Sequence, residues 1–197
     1  MTSEASSLRT LFLLNAAMFV IEVTYGYVAE SMGLIADGLD MLADAAVYGV
    51  AILALGGSAL RKVRAAYVAG YLQLALFVGA LLKLVNSIRS GSDPDVLPMI
   101  GISLLALSAN AAAIYLLRKH RHGDVHLRAA WIFSATDVQV NVAVIVAALL
   151  VWLTRSAVPD LVVGALICVL VLRSVIRILR DARDTQRKLQ AVSVNVT

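Results

Sequence analysis

The sequence predicts an all-α, polytopic membrane protein with six transmembrane helices and cytoplasmic N- and C-termini. Three observations carry that expectation. Of the 197 residues, 60% are hydrophobic and 15% charged, with a mean hydropathy of +0.85, a balance typical of chains surrounded by lipid. Apolar runs long enough to cross about 30 Å of hydrocarbon at ~1.5 Å per residue recur six times. Fourteen of the seventeen Lys and Arg residues fall in segments that alternate crossings place on one side.

The first run covers 10–29 and follows a short N-terminal segment, 1–9, with neither the basic n-region nor the small-residue cleavage site of a signal peptide. That span is therefore expected to be retained. The second run, 32–56, is apolar except for Asp37, Asp40 and Asp44. Arg61, Lys62 and Arg64 mark a basic loop before the third run, 66–88, and the fourth covers 96–117. Another basic loop, with Arg118, Lys119, Arg121 and Arg128, leads to the fifth run at 129–154, and the sixth covers 160–179. Together these make a membrane domain at 10–180. The segment 181–197 is too brief and too polar for a folded domain and is expected to be a cytoplasmic tail.

Arg9, the two basic loops and a tail group of Arg173, Arg177, Arg180, Arg183, Arg187 and Lys188 are counted on the cytoplasmic side, against Lys83, Arg89 and Arg155 opposite. The expected location is the cell membrane, the inner one in a bacterium. The net charge of +4 is thereby explained as topology, and the basic tail as a partner for anionic headgroups of the bilayer; no nucleic-acid partner is expected. Cys168 is the only cysteine, so disulfides and thiolate clusters within the chain are excluded, and it reads as a packing residue of the sixth helix.

The stretch Ala36–Ala45, "ADGLDMLADA", places Asp37, Asp40 and Asp44 on one narrow helical stripe, at relative angles of about 0°, 300° and 340°. Each charged Asp at mid-membrane costs on the order of 2.5–3.5 kcal/mol on insertion scales, so the cluster needs a partner or a water-filled cavity. Asp37 falls near the external helix end, as an entrance or capping residue. Asp40 and Asp44 lie roughly 10 and 16 Å inward. In the fifth span, Asp137 and Asn141 share a face, and antiparallel counting sets Asp137 level with Asp44 and Asn141 level with Asp40. Four oxygen-bearing side chains at one depth make a divalent-cation site, because the metal's charge offsets the desolvated carboxylates.

The run "NAAMFVIEVTYGYVAESMGLIADGLDMLADAAVYGVAI" resembles the first two helices of the cation diffusion facilitator family, proton-coupled exporters of divalent transition metals. Asn15 and Glu22 match that family's first helix, Ser31 and Asp37 its lead-in, and Asp40-x3-Asp44 its [His/Asp]-x3-Asp motif. "DVHLRAAW", "DVQVNVAVIVAAL" and "PDLVVGALICVLVLRSVIRILRDA" are similar to its later segments, so the resemblance covers roughly 10–184. Two departures stand out. The fifth-helix motif is usually His-x3-Asp, whereas here Phe133 occupies the His position before Asp137. Many members also carry a folded cytoplasmic domain after the sixth helix; the expectation here is a short form without one, which removes the basis for metal-gated regulation. The resemblance also suggests a homodimer.

The implied function is export of a divalent transition metal, with Asp40, Asp44 and Asp137 as ligands and Asn141 or water completing the shell. An all-oxygen set suits manganese or ferrous iron, whereas the resemblance points to zinc and cobalt. The ion is cargo, and no bound cofactor is expected. Clustered carboxylates in a low-dielectric cleft cannot all ionise without a cation, so metal and protons are expected to displace one another, giving antiport by alternating access. Asn15 and Glu22, on one face of the first helix, line the same path, or Glu22 is a buried interhelical hydrogen-bonding group. Phe133 is either an apolar gate or packing. In the loop "RKHRHGDVHLR", His120, His122, Asp124 and His126 either capture metal or belong to a solvated basic loop. Competing classes are an exporter of another cationic substrate, which calls for more aromatic lining, and a non-transporting sensor or assembly subunit. An enzyme is not expected, since no Ser–His or His–carboxylate pairing occurs inside the spans.

Overall fold

A computed structural model describes residues 3–56, 59–118 and 125–194. They form six helices: α1 Ser3–Val28, α2 Met32–Gly56, α3 Ala59–Ser90, α4 Val96–Leu117, α5 Val125–Thr154 and α6 Val158–Val194. No strand occurs among the described residues. Five helices contain stretches long and apolar enough to cross a membrane: Ala5–Val28, Leu60–Ser90, Val96–Leu117, Trp131–Thr154 and Val158–Ala191. The sixth, α2, carries the three aspartates and is the most enclosed, with residues 31–41 all buried. It packs against α1, α3, α5 and α6.

The distribution of side chains inverts that of a water-soluble domain. Large apolar residues such as Leu13, Leu82, Leu97 and Leu153 are exposed, while Asn15, Glu22, Asp37, Asn110, Asp137 and Asn141 are buried. That is the arrangement a bilayer favours, because lipid solvates apolar side chains and polar groups find partners or water only inside the bundle. One apolar cluster, including Leu34, Leu39, Phe77, Met99, Val144 and Val171, fills the end where the α1–α2 turn lies. Another, built from Leu8, Leu11, Tyr48, Ala51, Ala113 and Leu117, fills the other end. Along α2 and α5, Asp40, Asp44 and Asp137 fall between them. Cys168 is buried in the first cluster, where the sequence had placed it as a packing residue.

Local sequence sets the α1–α2 turn. Helix α1 stops where Glu30 adopts φ 53°; the Ser31 amide donates to Gly26 O at 2.9 Å and the Glu30 amide to Tyr27 O at 3.4 Å, a Schellman closure. Ser31 then N-caps α2, its Oγ accepting from the Leu34 amide at 3.2 Å. Close helix contacts rely on missing side chains. A Cβ on Gly164 would stand 2.7 Å from the Met32 carbonyl carbon, and one on Gly38 would stand 2.8 Å from Val23 Cγ2 and 3.1 Å from Glu22 Cβ. Small residues permit such approach where burial of apolar surface does not drive association.

Several helices run beyond the expected spans: α1 starts at Ser3 rather than 10 and α5 at Val125 rather than 129. Helix α3 starts at Ala59 rather than 66, so its first turns carry Arg61, Lys62 and Arg64. Helix α6 continues past 179 to Val194, so most of the expected tail is a helical extension. The Tyr67 hydroxyl ties that extension to α3 by donating to Gln186 Oε1 at 3.0 Å. Hydropathy marks where a helix leaves lipid, whereas backbone hydrogen bonding carries the helix on through polar residues.

Candidate metal site

Asp40 and Asp44 from α2 and Asp137 from α5 line one cavity of about 270 Å³. They are 8%, 8% and 4% exposed respectively. The cavity runs along α2 from Asp40 to Val47, along α5 from Asp137 back to Ile132, and along α6 from Leu170 to Ile178. It therefore leads toward the end of the bundle where α6 continues. Tyr48 donates its hydroxyl to Asp44 Oδ2 at 3.5 Å, while Asp137 Oδ2 has no hydrogen-bond partner. Among the described residues no three His, Cys, Asp or Glu side chains converge tightly enough to hold an ion.

At the start of α2 the contacts with α5 fall about one turn from the sequence count. Gly33 lies against Val144, and Asn141 Nδ2 donates to Asp37 Oδ2 at 2.6 Å. Further along, Phe133 packs against the apolar cluster that contains Tyr48, one turn beyond Asp137 and Asp44 on their helices, in keeping with the sequence count for that pair. The sequence count assumed that both helices enter at matched depths, whereas the first turn of α2 is drawn deep against α5 and α6. Asn141 is consequently not a lining residue of the carboxylate cavity. Its Oδ1 accepts from Asn110 Nδ2 at 3.2 Å, which makes a buried chain from Asn110 through Asn141 to Asp37.

Asp37 is not at an entrance. It is 1% exposed, with Oδ2 bonded to Asn141 and Oδ1 without a partner. Glu22 is fully buried with both carboxylate oxygens unpartnered, so the hydrogen bond expected of it is not made. Asn15 donates to Leu11 O at 2.9 Å within its own helix. Neither Glu22 nor Asn15 lines the cavity. Phe133 both lines the cavity and packs against the Tyr48 and Leu117 cluster. His120, His122 and Asp124 lie outside the described residues, and for His126 only the backbone, in the first turn of α5, is described.

Sequence reasoning missed several residues that build or support this site. Asp160, at the start of α6, is fully buried and binds the α2 N-terminus three times: from Ser31 Oγ at 2.7 Å, the Met32 amide at 2.7 Å and the Gly33 amide at 2.9 Å. An anion there satisfies free backbone donors and meets the positive end of the helix dipole. Gln73 of α3 donates to Leu39 O at 3.2 Å, beside Asp40. Thr136 and Ser174 add hydroxyls to the cavity wall. Arg173 and Arg177, counted with the tail in the charge tally, line the cavity instead. The available signal was their position inside the sixth apolar run, four residues apart on one face.

A helical membrane bundle whose buried carboxylates surround a central cavity is the architecture of a transporter of cations. Residues 8–185 match the cation efflux transmembrane domain, and the chain belongs to that family. It is 32% identical, over its whole length, to the zinc transporter ZitB of Pectobacterium atrosepticum, covering 68% of that protein. It is 30% identical to ZitB of Yersinia pestis over 91% of this chain and 62% of that protein. With ZitB of Escherichia coli K12 the identity is 29%, over 98% and 66%. The chain thus spans about two thirds of the length of these relatives. It is a multi-pass membrane protein of a cation efflux family, not of an enzyme family, as the sequence led us to expect.

Proposed function

We propose that the chain exports a divalent metal cation, zinc foremost, in exchange for protons, with Asp40, Asp44 and Asp137 as its ligands. The observation that carries this reading is the single cavity lined by all three carboxylates from α2 and α5. Zinc enters through the relatives, which are zinc transporters; the oxygen donors by themselves also accommodate cobalt, manganese and ferrous iron. Water completes the shell, since Asn141 ligates only by giving up its bonds to Asp37 and Asn110. The charge bias of the loops assigns the open end of the cavity to the cytoplasm, from which metal enters and displaces protons held among the carboxylates. Rocking of the helices then exposes the site to the other side, where protons displace the metal.

The test is transport by the purified protein in proteoliposomes carrying an internal pH dye, with zinc, cobalt, manganese or iron added outside. Metal-dependent proton movement, lost in Asp44→Ala plus Asp137→Ala, is expected. Metal flux with no accompanying proton movement would remove the antiport step, and full activity of the double variant would remove the site.

A further inference from the structure

The cavity wall holds cationic as well as anionic side chains. Asp40, Asp44 and Asp137 come from α2 and α5, while Arg173 and Arg177 face them from α6. Spaced four residues apart, the two arginines present both guanidiniums on one side of that helix. By the rise per residue from Val158, they stand roughly 22 and 28 Å along α6. They thus lie on the side of the carboxylates toward which the cavity leads. A guanidinium does not give up its proton at any accessible pH, so two fixed positive charges share this space with the carboxylates. Arg177 is within Coulombic range of Asp44.

We propose that Arg173 and Arg177 are built-in counter-cations of the carboxylate cavity, competing with the transported divalent ion for Asp40, Asp44 and Asp137. This rests on the metal-site reading above and adds to it what, beside the bound protons, balances the carboxylates when metal is absent. Whichever of the three buried carboxylates is neither protonated nor metal-bound needs compensating charge at every stage of a transport cycle. A cation attached to α6 supplies part of it and does not leave with the cargo. The same charge repels an arriving divalent ion. It therefore lowers affinity on the loading side and prevents the site from becoming a trap too tight to release its cargo. Since the competing charges ride on a different helix from the ligands, any shift of α6 relative to α2 and α5 changes metal affinity.

Zinc affinity of the purified protein in nanodiscs, measured by competition with a zinc-responsive dye, tests this. One unit charge roughly 8 Å from a divalent ion in water-filled surroundings changes its affinity about fivefold. Arg173→Gln and Arg177→Gln are therefore each expected to bind zinc about fivefold more tightly than wild type, with the gain shrinking as ionic strength rises. Arg173→Lys and Arg177→Lys, which keep the charge, are expected to stay near wild type. Arg180→Gln, on the same helix but outside the cavity lining, is expected to change nothing. Unchanged or weaker binding in both Gln variants overturns the inference, and unchanged binding is what arginines that only reach lipid headgroups would give. Lys variants that behave like the Gln variants also overturn it, because packing rather than charge would then be responsible. Wild-type affinity in Asp44→Asn overturns the metal-site reading and this inference together. Loss of binding in Asp44→Asn without a shift in the Gln variants overturns this inference alone.

Discussion

Asn141 of α5 donates its amide nitrogen to Asp37 of α2 at 2.6 Å, deep in the bundle. Because its oxygen also accepts from Asn110, one side chain ties α2, α4 and α5 together near the start of α2. Both Asn141 and Asp37 are at most 1% exposed, so water does not replace a lost partner. Asn141→Ala is therefore expected to destabilise the fold by about 1–3 kcal/mol, the cost of leaving a buried polar group unsatisfied. Thermal unfolding in detergent measures it. Asn141→Asp should be worse, since it sets a second acid against Asp37.

Asp160 makes the parallel prediction at the helix end. Three donors from Ser31, Met32 and Gly33 converge on its carboxylate. Asp160→Ala leaves all three without an acceptor and removes a charge from the α2 N-terminus, an expected loss of about 3 kcal/mol. Asp160→Asn should fall between, because it keeps one acceptor oxygen and turns a donor toward another. Comparative melting of the two variants orders them.

How much of this was readable beforehand depends on the kind of signal. Apolar run length locates helices well because the bilayer imposes it: five expected spans fall within observed helices, and the first, 10–29, overshoots the end of α1 by one residue. The stripe of Asp37, Asp40 and Asp44 was readable from helical periodicity, and so was the involvement of Asp137. Inter-helix register was not. It depends on where Gly33 and Gly164 let α2 settle against α5 and α6, and the identity of a residue across the interface does not appear in local periodicity. That is why Asp37 was assigned to an entrance and Asn141 to the carboxylate cavity. Asp160 escaped notice because an acid after Pro159 reads as an ordinary helix start, and its partners lie more than 120 residues away in sequence. Arg173 and Arg177 were absorbed into a charge tally that describes topology and is blind to which way a helix face points.

The carboxylates should separate by function when neutralised one at a time. Asp44→Asn and Asp137→Asn are expected to weaken zinc binding by more than the roughly 10–100-fold typical of losing an outer-shell partner. Asp37→Asn removes a charge that does not line the cavity and preserves a hydrogen-bonding group beside Asn141. Its binding loss should be less than about tenfold. Isothermal titration with zinc separates the cases; equal losses in all three would place Asp37 among the ligands.

Close approach at Gly164 gives a purely steric prediction. An added Cβ would sit 2.7 Å from backbone and side-chain carbons of Met32 and 2.8 Å from its carbonyl oxygen. Backbone atoms cannot rotate away as a flexible side chain does, so Gly164→Ala must push α6 off the start of α2, an expected cost of about 1–3 kcal/mol. Because Asp160 lies one turn earlier on α6, the same shift loosens its bonds to Ser31, Met32 and Gly33. Gly101→Ala serves as the comparison, since its Cβ meets nothing within 4 Å, and it should leave unfolding unchanged or slightly stabilised by the lower backbone freedom of Ala.

Phe133 offers the sharpest test of how the donor set selects metal. It lines the cavity one helical turn from Asp137. Phe133→His adds an imidazole to a set of carboxylate oxygens, and imidazole favours zinc where carboxylate and water suit manganese. Zinc affinity is expected to rise by about tenfold, with manganese affinity changing much less. The quantity to measure is the ratio of the two dissociation constants in the same preparation, which cancels any common loss from disturbing the packing around Tyr48 and Leu117. An unchanged ratio would mean that the ion binds beyond reach of position 133, nearer Asp40 than Asp44. A lowered zinc-to-manganese ratio of dissociation constants would place it between Asp44 and Asp137, where an imidazole at 133 joins both carboxylates.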